Sequence, residues 1–184
     1  MGMQTEWTPT EPKSLASLGG GLAVPRRLRL TADRPELPYL VKLEVVLEAG
    51  RFICEQLTCS RRKDGPPVTG EGIRALPIAS MIRRGVEPEV LNAQRVDADT
   101  VKLTPIEIPD RLTGPTPEAL RAVAVIYRLA YATGSPPTKA VMDRFGLPRS
   151  TAGRWVARAR DAGLLGAASP RKAGESRIEP AEGD

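Results

Sequence analysis

The stretch DRFGLPRSTAGRWVARARDAGLLG, Asp143 to Gly166, decides how the C-terminal third of the chain folds. Gly146 and Pro148 interrupt it within three residues. Glycine accepts the left-handed backbone that ends a helix at little cost. Proline blocks continuation of one helix and fixes the start of the next. The pattern therefore predicts two helices joined by a short turn. The first runs from Thr138 to Phe145, with Val141, Met142 and Phe145 on its apolar face. The second runs from about Arg149 to Ala162. On its wheel Ala152, Trp155, Val156 and Ala159 share one side. Ser150, Arg154 and Ala157 point the opposite way, with Arg149, Gly153, Arg158 and Arg160 at the flanks. No acid falls between Arg149 and Arg160, and Gly163 ends the helix so that Leu164 and Leu165 fold back.

A longer helix precedes this pair. Thr116 is a good N-cap, Pro117 suits the first helical position, and Glu118 favours the positive end of the dipole. Leu120, Val123, Ala124, Tyr127, Ala130 and Tyr131 follow helical spacing up to Gly134. Val125, Ile126 and Leu129 make the helix apolar on more than one side, as the centre of a small bundle requires.

Further towards the N-terminus the period changes. Val41, Leu43, Val45 and Leu47 alternate with Lys42, Glu44, Val46 and Glu48, the signature of a half-buried strand. Ala49-Gly50 permits a tight turn into a second strand, Arg51 to Ser60. Glu44, Glu48 and Glu55 read as the solvated face of this hairpin, and RRKDGPP at 61–67 as a basic-rimmed turn that can meet phosphate. Thr69 caps a short helix, and Pro77 divides GIRALPIASMIRRG into two. Ile73, Leu76, Ile78, Met81 and Ile82 then cover one sheet face. TVKLTPIEIP at 100–109, with two prolines, suits an edge strand or an extended linker. The fold class is α+β: a hairpin-containing α+β unit at 26–110, then an all-α bundle at 111–168. Residues 1–25, with GGG at 19–21, read as a flexible leader, and 169–184 as a flexible tail.

Composition narrows the chemistry. The 184 residues are 41% hydrophobic and 27% charged, ordinary for a globular protein. No apolar run reaches the ~18 residues of a membrane helix. MGMQTEWTPTEPK lacks a signal pattern, so a cytoplasmic protein without membrane contact is expected. With no histidine and two cysteines, Cys54 and Cys59, His-based catalysis and a four-ligand zinc site are excluded. The two thiols read as reduced, at least one of them packed as a small hydrophobe. No catalytic residue, metal or cofactor is expected, and no enzymatic activity. Net charge is +5, concentrated in residues 111–172, where eleven Lys/Arg face three Asp/Glu. Such asymmetry suits a module that meets a polyanion. Arginine outnumbers lysine 21 to 6, as GC-rich genomes favour.

Residues 115–166 resemble the helix-turn-helix of bacterial DNA-binding regulators, resolvases and transposases. The resemblance rests on Gly146 between the helices, on Val141, Phe145 and Leu147, and on Ala152 and Trp155. The chain departs from that pattern at Met142, where a small residue is usual, and at Pro148, where Ser or Thr usually caps. The whole chain also looks like small uncharacterised proteins of high-GC bacteria and their phages. What the helix-turn-helix resemblance implies is sequence-specific binding of double-stranded DNA, with the second helix in the major groove. Arg149, Ser150, Gly153 and Arg154 are then the base-reading candidates. Lys139, Arg144, Arg158 and Arg160 are the phosphate candidates. A transcriptional regulator acting as a homodimer is the expectation, with the α+β unit supplying dimerisation or an effector site. The alternatives are a phage DNA-packaging or recombination accessory factor, and an adaptor whose helices hold a protein partner.

Overall fold

The computed structural model describes residues 14–96, 101–112 and 114–166. It is an α+β protein of seven strands, five α-helices and a short 3-10 turn among the described residues. The chain divides into two compact units. One holds the residues up to Ile106 together with Ala132–Gly134; the other holds Glu107–Tyr131 and the chain from Ser135 on.

The first unit is built on two antiparallel sheets. Strand β1 is Leu15–Gly19, β2 is Leu22–Pro25, β3 is Arg27–Ala32, β4 is Tyr39–Glu48 and β5 is Arg51–Arg61. Strands β6, Leu91–Arg95, and β7, Val101–Pro105, follow the helices α1, Gly70–Arg74, and α2, Ile78–Val86. One sheet has the order β3-β4-β5 and the other β1-β2-β6-β7. The alternation in β4 works as its spacing predicts: Val41, Leu43, Val45 and Leu47 are buried while Lys42 and Glu48 face solvent. Ala49 and Gly50 both take positive φ, the backbone of a two-residue turn whose twist matches the strands it joins. Pairing then shifts register between Glu44 and Val45, which leaves Glu55 as the extra residue of a bulge. The solvated face carries two ion pairs, Arg27 with Glu55 and Arg29 with Glu44 at 2.8 Å. Cys54 and Cys59 are free, half-buried thiols, and burial raises both above the ordinary thiol value, so both are protonated at neutral pH.

The expected leader is corrected by β1 and β2. Residues 15–25 form a hairpin, and Leu22, Ala23 and Val24 belong to the core. Its three glycines are the turn: Gly19, Gly20 and Gly21 all have left-handed φ, which lets the chain reverse between Gly19 and Leu22. What reads as a flexible run in composition is a tight connection in space. The rest of the leader, residues 1–13, and the tail at 169–184 lie outside the described residues. Strand β7 is an edge strand that ends at Pro105, a position suited to a residue without a backbone donor.

The two short helices form where the sequence places them. The Gly72 N–H donates to Thr69 Oγ1 at 3.1 Å, capping α1. Pro77 separates α1 from α2, whose Met81, Ile82 and Val86 are buried. Ile73 is the exception on this apolar set and stays 36% exposed.

The second unit is a three-helix bundle: α3, Pro117–Ala132, which belongs to it up to Tyr131, α4, Pro137–Phe145, and α5, Arg149–Asp161. At the start of α3 the Ala119 N–H donates to Thr116 Oγ1 at 3.2 Å. The Glu118 backbone N–H, the Thr116 hydroxyl and Arg121 hold the Glu118 carboxyl below the usual carboxylate range. The core joins Leu120, Val123, Tyr127, Val141, Trp155 and Val156 from the three helices with Leu165 beyond them. Among the described residues no helix is long and apolar enough to cross a membrane.

Candidate nucleic-acid interface

The turn between α4 and α5 is made by three residues. Gly146 takes φ 62°, ψ 31°, and its N–H caps the Met142 carbonyl. The Leu147 N–H reaches the same carbonyl at 3.0 Å, which brings the Leu147 side chain back against the bundle core. Pro148 stands at the start of α5, and its carbonyl accepts from the Ala152 N–H at 2.9 Å. Met142, where a small residue is usual, packs half-buried against the same core, as an unbranched side chain can. At the far end Gly163 has φ 70°, and the Leu164 and Leu165 N–H groups both return to the Ala159 carbonyl.

Helix α5 is divided lengthwise. Ala152, Trp155, Val156 and Ala159 are buried. Arg149, Ser150, Gly153, Arg154, Ala157 and Arg158 are exposed. All four base-reading candidates therefore share one open surface, joined there by Arg158. Gly153 sits in open space, since a Cβ there would meet nothing within 4 Å. Arg149 and Arg158 have no acidic partner among the described residues. Arg154 donates to Thr151 Oγ1 at 3.3 Å, one turn back on the same helix. Thr151 is a residue the wheel alone passes over. Its hydroxyl restrains the guanidinium, and the i,i+3 spacing to Arg154 is the signal for it.

The phosphate candidates separate into three kinds. Arg158 is open. Lys139 is exposed but pairs with Asp143 at 2.7 Å along α4. Arg144 and Arg160 are turned inward. Arg144 donates to the Ile108 carbonyl at 3.5 Å, meets Asp110 at 3.3 Å and lies over the Phe145 ring at 5.7 Å. It fastens the segment before α3 to α4. Arg160 donates to the Tyr127 hydroxyl at 2.8 Å and the Gly166 carbonyl at 3.2 Å, and lies 5.0 Å from the Tyr127 ring centre. It joins α5, α3 and the returning chain. Charge-assisted hydrogen bonds and a cation–π contact in a half-buried setting are together worth ~1–3 kcal/mol. Arg160→Ala should thus lower the melting midpoint of the second unit by several degrees. A variant that melts like the parent but binds a polyanion more weakly would return Arg160 to the phosphate set.

No curated protein and no solved structure matches the chain. A family match, however, runs without a break from α1 through the turn and α5. It spans residues 70–174, more than half of the chain, and the protein belongs to that family, a family of unknown function designated DUF6214.

Proposed function

We propose that the second unit binds double-stranded DNA in a sequence-specific way, with α5 in the major groove, and that the protein acts as a transcriptional regulator. One observation carries this reading. Helix α5 spends one side on the core and presents Arg149, Ser150, Gly153, Arg154 and Arg158 together on the other, with no acidic partner for Arg149 or Arg158 among the described residues. A helix that served only as packing would be expected to balance such charge along its own surface. The tight turn at Gly146 and the uncapped, acid-free first turn of α5 add to it, because both favour approach of that end to phosphate.

One helix-turn-helix reads only a few base pairs, so the reading takes a homodimer on a two-fold site. Strand β5 is the surface of the first unit offered to a second copy. It is an edge strand of eleven residues, with Ile53 45% and Leu57 36% exposed.

The test is a titration of the full chain on duplex DNA across a range of salt. With Arg144 and Arg160 held internally, two of the four phosphate candidates remain per protomer, Lys139 and Arg158, which gives a log–log slope of about −2 for a monomer and about −4 for a dimer. Affinity that stays flat with salt would sink the electrostatic reading. It would move the helices to the role of a protein-binding adaptor.

A further inference from the structure

The loop between β3 and β4 faces the corner of α1 and α2 across a cleft of about 480 Å³ that lies wholly within the first unit. Small-molecule sites typically enclose ~300–1,000 Å³. Leu37, Leu76 and Met81 line it with apolar surface. Arg34 and Glu36 from the loop and Ser80 and Arg84 from α2 line it as well, so its polar lining holds two cations, one carboxylate and one hydroxyl residue. Among the described residues Arg84 has no acidic partner and Ser80 no hydrogen-bond partner through its side chain. Arg34 meets Glu36 at 3.6 Å, a carboxylate that is 73% exposed and so weakly held.

The loop is fixed in advance. Arg62 Nε donates to the Leu37 carbonyl at 3.2 Å, Nη2 donates to the Arg34 carbonyl at 2.8 Å, and Nη1 pairs with Asp33 at 2.6 Å. The Leu37 N–H closes a turn on the Arg34 carbonyl at 3.0 Å. Arg62 belongs to the basic turn at 61–67, and it clamps this wall of the cleft. A rigid wall reduces the ordering cost that a ligand would otherwise meet.

We propose that this cleft binds a small carboxylic acid with an apolar body. The carboxylate lies between Arg34 and Arg84, where the planar guanidinium forks match its two oxygens. The body lies on Leu37, Leu76 and Met81. Charge alone does not describe the site, because much of its lining is apolar; nor does apolar surface alone, because Arg34, Arg84, Ser80 and the largely solvent-exposed Glu36 line it too.

The experiment is an NMR titration of the full, isotope-labelled chain without DNA, so its outcome is independent of the DNA reading. Sodium benzoate is the probe. Saturable shifts are expected, confined to residues 32–38 and 72–84. Benzyl alcohol, which keeps the body and loses the charge, should bind at least about tenfold more weakly. Inorganic phosphate, which keeps charge and loses the body, should do the same. Arg84→Gln and Arg34→Gln should each weaken benzoate by about tenfold while the rest of the spectrum and the melting midpoint stay unchanged. Lys42→Gln, an equal change of charge on the exposed side of β4, should bind as the parent does. Shifts scattered over the chain, failure to saturate, equal binding of benzyl alcohol or phosphate, or an Arg84→Gln protein that binds benzoate as well as the parent would each overturn the proposal.

Discussion

Trp155→Ala is expected to unfold the helical unit. The side chain is 8% exposed and packs in the cluster that joins α3, α4 and α5. Truncating a buried Trp costs ~3–5 kcal/mol, through lost transfer energy and the cavity left behind. Whole domains are stable by only ~5–15 kcal/mol, and small ones lie at the low end. The substitution therefore removes most of what holds three short helices together. Thermal melts followed by circular dichroism at 222 nm would read it, with Trp155→Phe as a control that retains most of the packing. A Trp155→Ala protein that melts with its parent and changes its DNA preference instead would show that the opposite face of α5 is the one that reads.

On the DNA reading proposed above, Arg154 and Arg158 are expected to separate base recognition from backbone contact. They carry the same charge on the same exposed side of one helix. Arg154 lies in the N-terminal half of α5 and is restrained by Thr151, whereas the Arg158 side chain stands one turn further on with no partner among the described residues. A side chain that is already restrained loses less freedom when it meets a base edge. Arg154→Ala should cost ~1–3 kcal/mol on a selected site and relax preference at one position. Arg158→Ala should weaken selected and scrambled duplexes alike and reduce the salt slope by about 1. Fluorescence anisotropy on both duplexes at two salt concentrations gives all four numbers. Equal proportional losses for both variants would make α5 a phosphate grip, and no loss for either would remove it from DNA.

The parts of the fold that a local pattern can specify were legible. The β4–β5 hairpin shows in the alternation from Val41 to Leu47 and in the Ala49-Gly50 turn, because strand period and turn chemistry are both properties of neighbours. The caps at Thr69 and Thr116 and the stop at Gly146 show for the same reason. What stayed hidden depends on distant partners. Strand β6, LNAQR, is short and polar, and it is a strand because it is paired on both sides, by β7 along its whole length and at Leu91 and Asn92 by β2, some 70 residues earlier. The Gly19–Gly21 run looks like a linker until the strands on each side are known to pair. Within the candidate interface, the outward face of α5 followed from helical spacing. The inward turn of Arg144 and Arg160 did not, since Asp110 and Tyr127 are 34 and 33 residues away. The Arg62 clamp is hidden in the same way, with its partners 25 and 28 residues earlier.

The lengthwise division of α5 also bears on how such a protein can diversify. Ala152, Trp155, Val156 and Ala159 hold the helix in place, and none of them belongs to the open surface. Arg149, Ser150, Gly153, Arg154, Ala157 and Arg158 form that surface, and none of them belongs to the core. Exchanges at exposed helical positions typically change stability by no more than ~0.5 kcal/mol. A lineage can therefore sample new side chains at these six positions while the scaffold beneath stays unchanged. Innovation at the surface and persistence of the fold are assigned to different residues of a single helix.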